Sequence, residues 1–402
     1  MADLRYRMAR NRADAYGQVF TPQAVADLLV RSLPVPVEGV TSLLDLGAGE
    51  GALSDAAQRK HPTARATLLE VDPELVIELN QNPRRNRCIV QMDLLNGHWQ
   101  PSRPPSWILS NPPFGHMAVT DTLTCEVRQS SLGFEPEGTW LRRDVAFLVK
   151  AWKMAVRGTS LGFIVASPIL CDPTYAGIRT TLAREMGELV VTQLPEKVFD
   201  RAQVCAHLIS GRKAVARKRR VVLRKATAEG DIVDELVIDQ IAARTSLDID
   251  YHRTIERLGV DLSCMRDTLA SSGALITRGS RSNADYKRLG LKAFHTTDLD
   301  VHGSDVHLKG GELTGHQIAR SGDMLIARVG SRCIARQARV HGGAGPYTDS
   351  VYRLTVPERY RQRVWQTLSS SFGTEWRLAH AAGSCAKHLT VQTLASMPLL
   401  PA

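Results

Sequence analysis

No stretch of this chain stays apolar for the roughly 18 residues that a membrane-spanning helix needs. Residues 1–12 are polar and basic, so no secretory signal is expected, and a cytoplasmic protein without membrane contact fits better. The seven cysteines include no Cys-x-x-Cys pair, which favours reduced thiols over disulfides. Cys385 and His388 lie close together, but a structural zinc site takes four ligands, so no metal is expected. No glycine turn ends in Gly-Lys-Ser or Gly-Lys-Thr, which excludes a P-loop. There is no internal repeat and no nuclease-like cluster of acids with a lysine, so any DNA cleavage would fall to a restriction endonuclease on another chain.

What is present is enough chain for two cored domains: 402 residues, 43% hydrophobic and 23% charged. The net charge of +10 and a pI near 9.4 suit a polyanionic partner. The densest chemistry is Asn111-Pro112-Pro113-Phe114, placed after the apolar run Trp107-Ile108-Leu109. The Asn side-chain oxygen and the Pro112 carbonyl can both accept from one exocyclic NH2 group, and two rigid prolines fix their directions. The Phe114 ring offers a face for a planar base. A plain strand exit through a Pro-Pro turn would read the same in isolation.

Three further strand ends change the balance. Residues 42–53 read as a buried strand, a turn with Gly47 and Gly49 that brings backbone close to a ligand, and a helix start at Gly51. Asp45 before that turn favours a positively charged ligand, such as a sulfonium or an α-amino group. About twenty residues on, Glu70 ends a second strand, where a carboxylate suits ribose hydroxyls. Asp93 follows Cys88-Ile89-Val90-Gln91-Met92 and can accept from an adenine amino group of a cofactor. Either acid alone would read as a turn residue. In an open parallel sheet all four tips line one ligand-binding edge.

Together these residues resemble the S-adenosylmethionine-dependent N6-adenine DNA methyltransferases. The similar subgroup has an N-terminal catalytic domain and a C-terminal target recognition domain. The resemblance covers about residues 14–212. It implies a Rossmann-like α/β sheet with helices on both faces, S-adenosyl-L-methionine as cofactor, double-stranded DNA as partner, and transfer to the N6 amine of a flipped adenine.

By the same resemblance Phe20, Thr21 and Pro22, within Tyr16-Gly17-Gln18-Val19-Phe20-Thr21-Pro22, cover the methionine part of the cofactor. Thr21-Pro22 also reads as an ordinary helix start. Phe199, within Leu194-Pro195-Glu196-Lys197-Val198-Phe199, supplies a second aromatic near the target base, and Asn111, Pro112, Pro113 and Phe114 form its pocket. Leu46 stands where many members of that family carry proline, a packing choice. Residues 144–152 read as an amphipathic helix and 162–168 as a buried strand. Residues 117–141 read as a less orderly loop over the cleft.

The run from Arg212 to Arg220 holds no acid and continues to Arg224 and Lys225, which favours phosphate contact. Val221-Val222-Leu223 alternates like a strand that closes the first sheet or leaves it. The expected division is therefore 1–225 catalytic and 226–402 target recognition, the second domain mixed α+β. Residues 231–257 read as helical or mixed, and strands are expected near 273–280, 291–299, 322–331 and 347–354. The end, Gly383-Ser384 through Leu389, Leu394 and Met397-Pro398-Leu399, is similar to the close of the target recognition domains in type I restriction specificity subunits, a resemblance that covers about residues 265–402. Arg278, Arg281, Arg332 and Arg336 are candidates to meet bases or phosphates. Open alternatives are an RNA, cytosine N4 or protein glutamine substrate, and a catalytically silent DNA-specificity module.

Overall fold

The computed structural model describes residues 18–36, 38–81, 83–136, 138–196, 198–199, 205–214, 220–259, 265, 267–300, 303–330, 332–381 and 387–401. The chain divides into two compact units, Met1–Ile249 and Asp250–Ala402.

In the first unit α1 (Gln23–Ser32) precedes β1 (Ser42–Leu46), α2 (Ala52–Lys60), β2 (Arg65–Glu70), α3 (Pro73–Gln81), β3 (Arg87–Gln91) and β4 (Trp107–Ser110). A two-stranded ladder, β5 (His116–Ala118) with β6 (Trp140–Arg142), brackets α4 (Asp121–Ser130). Then come α5 (Arg143–Met154), β7 (Ser160–Ala166), α6 (Pro168–Cys171) and α7 (Ala176–Glu185). The unit finishes with β8 (Met186–Gln193), β9 (Ala206–Lys213), β10 (Arg220–Ala226), β11 (Ile232–Asp239) and α8 (Gln240–Thr245).

Nine of these strands form one sheet in the order β11-β10-β8-β9-β7-β4-β1-β2-β3. The run from β7 through β4, β1 and β2 to β3 is parallel, and β9 enters antiparallel. Its central strands are buried on both faces, and the period of two sends alternate side chains to two cores. Leu44, Leu46, Ile108, Phe163 and Val165 join the core under α4, α5 and α7. Leu43, Trp107, Leu109, Ile164 and Ala166 join the core under α1 and α2. Strand order reverses between β1 and β4, so their carboxyl ends flank the crevice where ligands bind in such sheets.

In the second unit α9 (Ile249–Leu258), β12 (Leu275–Arg278), α10 (Asn283–Arg288), β13 (Ser304–Leu308), β14 (Ile318–Arg320) and β15 (Met324–Ala327) lead into the long β16 (Gln337–Pro346) and β17 (Val351–Thr355). Helices α11 (Glu358–Ser369), α12 (Ser371–His380) and α13 (Val391–Ala395) follow. The mixed sheet runs β12-β17-β15-β16-β13, with β14 also on β16. Met324, Ile326 and Leu354 pack with Val364, Leu368 and Trp376, while Leu325, Ala327 and Val351 pack with Val340 on the other face.

Three expectations meet a different structure. The units divide at 249/250 rather than 225/226, because β11 pairs with β10 and the following turns are stitched to the first core. There Gln240 Nε2 donates to the Ala183 carbonyl at 2.8 Å, and Arg179 Nε to the Arg244 carbonyl at 3.0 Å. Residues 117–141 are no plain loop: Thr120 caps α4 by accepting from Leu123 N–H at 3.2 Å, and Leu123 and Val127 enter the core. Helix α5 keeps its polar and apolar sides but shows neither to solvent over most of its length, since α4 covers its outer side. Around 291–299 there is only an isolated bridge, Phe294 to Tyr347, and a 3-10 turn. Among the described residues no helix is long and apolar enough to cross a membrane.

The loop between α4 and β6 crosses α7 backbone to backbone, where Gly133 (φ +77°) meets Gly177. A methyl at 177 would enter the Gly133 carbonyl, and no side chain can yield to relieve it. Gly177→Ala is expected to destabilise the chain by about 3 kcal/mol in urea denaturation. Wild-type stability would show that loop and helix do not meet this way.

Candidate active site

Three left-handed glycines shape the turn after β1: Gly47 (φ +69°), Gly49 (φ +56°) and Gly51 (φ +84°), the last opening α2. Gly47 N–H and Ala48 N–H both donate to the Leu69 carbonyl, at 2.9 and 3.0 Å. A Cβ at Gly47 would stand 3.2 Å from the Phe147 ring of α5, so close approach and φ both require glycine there.

Glu70, at the tip of β2, is 4% exposed. Its Oε2 accepts from Gly49 N–H at 2.7 Å, and its Oε1 from Val71 and Asp72 N–H at 2.9 Å each. Asp93, past β3, accepts from Leu95 N–H at 2.9 Å and Asn96 Nδ2 at 2.7 Å. The tips enclose a cleft of about 320 Å³, whose walls include Phe20, Gly47, Gly49, Glu70, Asp93, Asn111, Pro113, Met117, Arg143 and Phe147. That volume is in the range of small-molecule sites.

Asn111 begins the turn after β4. Its Nδ2 donates to the Val19 carbonyl at 2.8 Å and to Thr21 Oγ1 at 2.9 Å. Its Oδ1 is buried and has no hydrogen-bond partner among the described residues. A buried acceptor left unpaired is costly unless something fills it, so this oxygen marks where a donor belongs. Gln18 Nε2 donates to Asp72 Oδ2 at 3.0 Å and ties the segment before α1 to the loop after β2.

Phe20, Gly47, Gly49, Glu70, Asp93, Asn111 and Pro113 line one cleft. Others sit elsewhere. Thr21 spends its hydroxyl on Asn111, and Pro22 caps α1, its carbonyl accepting from Ala26 N–H at 3.0 Å. Pro112 is buried. Phe114 and Phe199 are each 2% exposed and lie edge to face, 6.3 Å between centroids, in the α1 core. In this state neither ring shows a base an open face, because each ring packs on the other and on aliphatic neighbours.

Asp45 is turned away from the cleft as well. Its Oδ2 accepts from Ser54 N–H of α2 at 3.1 Å, and its Oδ1 has no described partner. Arg143 and Phe147 are lining residues that sequence reasoning missed. Their positions follow from α5 packing across the strand tips, which local pattern does not show.

In the second unit Arg278, at the end of β12, reaches Asp349 Oδ2 at 3.3 Å, and Arg328 Nε reaches the Asp349 carbonyl at 2.7 Å. Asp349 N–H donates to the Arg281 carbonyl at 2.8 Å, and the Arg281 side chain is exposed. Three arginines therefore meet Asp349 at one end of the sheet, Arg278 at its carboxylate and Arg328 and Arg281 at its backbone, Arg328 among them unforeseen. Arg332 is exposed on the turn after β15, whereas Arg336 is half-buried and donates to the Leu299 carbonyl at 3.3 Å. Tyr16, Gly17, Lys197, Cys385 and residues 215–219 of the basic run lie outside the described residues.

Burial pushes the Asp45 carboxyl up to about 7, with Glu70 adding to the rise and hydrogen bonds from Ser54 and the Arg87 charge opposing it. An unfolded aspartate ionises near 4. Between about pH 4 and 7 the folded chain holds the extra proton, so this group's stabilisation, complete below pH 4, is lost as pH rises through 7. Asp45→Asn keeps an acceptor for Ser54 and removes the titration. Relative to that variant, wild type is expected to lose up to about 4 kcal/mol between pH 4 and 8 in urea denaturation. Parallel pH curves would refute it.

Comparison with known proteins places this cleft. Residues 19–141 match the family described as Methyltransferase small domain. The chain is 28% identical over 137 residues to the release factor glutamine methyltransferase of Caulobacter vibrioides, covering 32% of this chain and 47% of that protein. It is 26% identical over 102 residues to the tRNA1(Val) (adenine(37)-N6)-methyltransferase of Vibrio cholerae, covering 22% of this chain and 42% of that one. The chain spans about half the length of the curated relatives it matches. The type IIG restriction endonuclease BpuSI aligns with 98% of this chain and 60% of its own, at 12% identity and TM-score 0.51, a likeness of fold alone. The first unit is an α/β fold built on one large mixed sheet, and the matched domain implies S-adenosylmethionine as the cofactor.

Proposed function

We propose that this chain is a DNA adenine methyltransferase acting on the exocyclic N6 amine of adenine in duplex DNA. The observation that carries this is the buried, unpartnered Oδ1 of Asn111 at the wall of the cleft. That oxygen and the Pro112 carbonyl are two acceptors for one amino group, which draws nitrogen lone-pair density towards the reacting face. When bound, S-adenosylmethionine supplies an electrophilic methyl group. The residues that fit it are Gly47 and Gly49 beneath, Glu70 and Asp93 at the ribose and adenine end, and Phe20 at the methionine end. Positioning carries the catalysis.

Adenine is favoured by the motif set and by the match to an adenine-N6 methyltransferase that acts on tRNA. Duplex DNA is favoured by the net charge of +10 and by Arg278, Arg281 and Arg328 around Asp349 in the second unit. We read that unit as a target recognition domain, and a restriction endonuclease on another chain as a partner. A second reading, methylation of a protein glutamine, rests on the match to the release factor enzyme and on the same pair of acceptors.

Incubation with labelled S-adenosylmethionine and mixed-sequence duplex DNA is expected to put label in N6-methyladenine. Label in protein, with none in DNA, would select the second reading. Asn111→Ala should lower turnover about 100- to 1000-fold while cofactor affinity stays within about threefold. Equal loss of both would remove Asn111 from the reacting centre.

Replacing Arg278 and Arg281 together by alanine should weaken duplex binding across sequences and flatten the log K against log salt slope by about 2. An unchanged slope would take phosphate contact away from this end of the second unit.

A further inference from the structure

We propose that Thr21, together with the Val19 carbonyl, sets which end of the Asn111 amide faces the reacting amine. Thr21 is thereby a positioning residue of the transfer step. The inference rests on the methyltransferase reading above and assigns Thr21 a task other than covering the cofactor.

An asparagine amide is nearly symmetric in shape, and half a turn about its last torsion exchanges oxygen for nitrogen. Chemically the exchange is drastic, because it would present a donor to an NH2 group that also donates. The two orientations must therefore be separated by something outside the amide. Here the Val19 carbonyl, 2.8 Å from Nδ2, can only accept. A turned amide would set two acceptors against each other at that distance. Thr21 Oγ1 takes the second N–H of the same nitrogen, at 2.9 Å. Both hydrogens are used, so the oxygen is left for the cleft, where it is buried without a described partner.

The clamp itself is anchored. Pro22 caps α1 immediately after Thr21, with Ala26 N–H on its carbonyl, and Gln18 is tied to Asp72. Thr21 therefore presents its hydroxyl from a fixed backbone. Its side chain is not a wall of the cleft, in contrast to Phe20 beside it, which separates orienting the amide from contacting the cofactor.

The test uses the full chain carrying Thr21→Val, which keeps shape and removes the acceptor, and Thr21→Ser, which keeps the acceptor. At saturating cofactor and DNA, Thr21→Val should lower kcat about 10- to 100-fold. The Kd for S-adenosylhomocysteine should stay within about threefold, and Thr21→Ser should recover turnover to within about twofold of wild type. Unchanged kcat in Thr21→Val would overturn the proposal, as would a loss that follows cofactor affinity.

A second readout separates this idea from the functional reading. In proton–nitrogen NMR the Asn111 side-chain NH2 signals are identified by their disappearance in Asn111→Ala. They should exchange slowly with solvent in wild type and Thr21→Ser, and at least about tenfold faster in Thr21→Val. Equal exchange in all three refutes the clamp. Slow exchange lost only in Thr21→Val supports it, even where no methyl acceptor is found and the functional reading falls.

Discussion

One wall of the cleft is held by one carboxylate. Glu70, at the tip of β2, gathers the N–H groups of Gly49, Val71 and Asp72, and so joins the loop after β1 to the loop after β2. Bonds from backbone N–H to an ionised acceptor are stronger than neutral ones, and burial strengthens them further. The glycine turn needs such an anchor, because left-handed glycines are conformationally free when nothing holds them. A carboxylate has about four acceptor sites, and three bonds leave capacity for a ligand hydroxyl.

From this anchor a contiguous set of hydrogen bonds reaches the other half of the cleft. Asp72 N–H binds Glu70, while the Asp72 carboxylate receives Gln18. The next residue, Val19, offers its carbonyl to Asn111, and Thr21 completes the amide's bonds. The segment leading into α1 thus spans both halves, tied at one end to the glycine turn's anchor and at the other to the Asn-Pro-Pro turn. The Asn111 amide proposed to meet an amine is held by the same backbone that borders the cleft.

The aromatic pair defines a different constraint. Phe114 and Phe199 pack edge to face and are buried in the core, so a base could stack there only after the rings part or turn. The proposed pocket thus has its Asn111 amide held in place and its two rings packed shut. That division suits a pocket whose planar ligand must be inserted from outside, since the rings lose packing and regain it against the base.

The sequence by itself determined the strand tips: glycines where φ must be positive, carboxylates after β2 and β3, and the Asn-Pro-Pro-Phe turn after β4. These are local demands of backbone geometry and hydrogen-bonding capacity, so they are legible one residue at a time. The sheet was legible for a related reason, since strands buried on both faces leave unbroken apolar runs. Only the tertiary structure decided which tip residues face the cleft. It turned Asp45 towards α2, buried Phe114 and Phe199, and brought Arg143 and Phe147 into the cleft lining through α5. It also kept β11 and α8 with the first unit, and gathered Arg278, Arg281 and Arg328 around Asp349 in the second. Each of those outcomes depends on partners far away in the chain, and no local pattern carries that information.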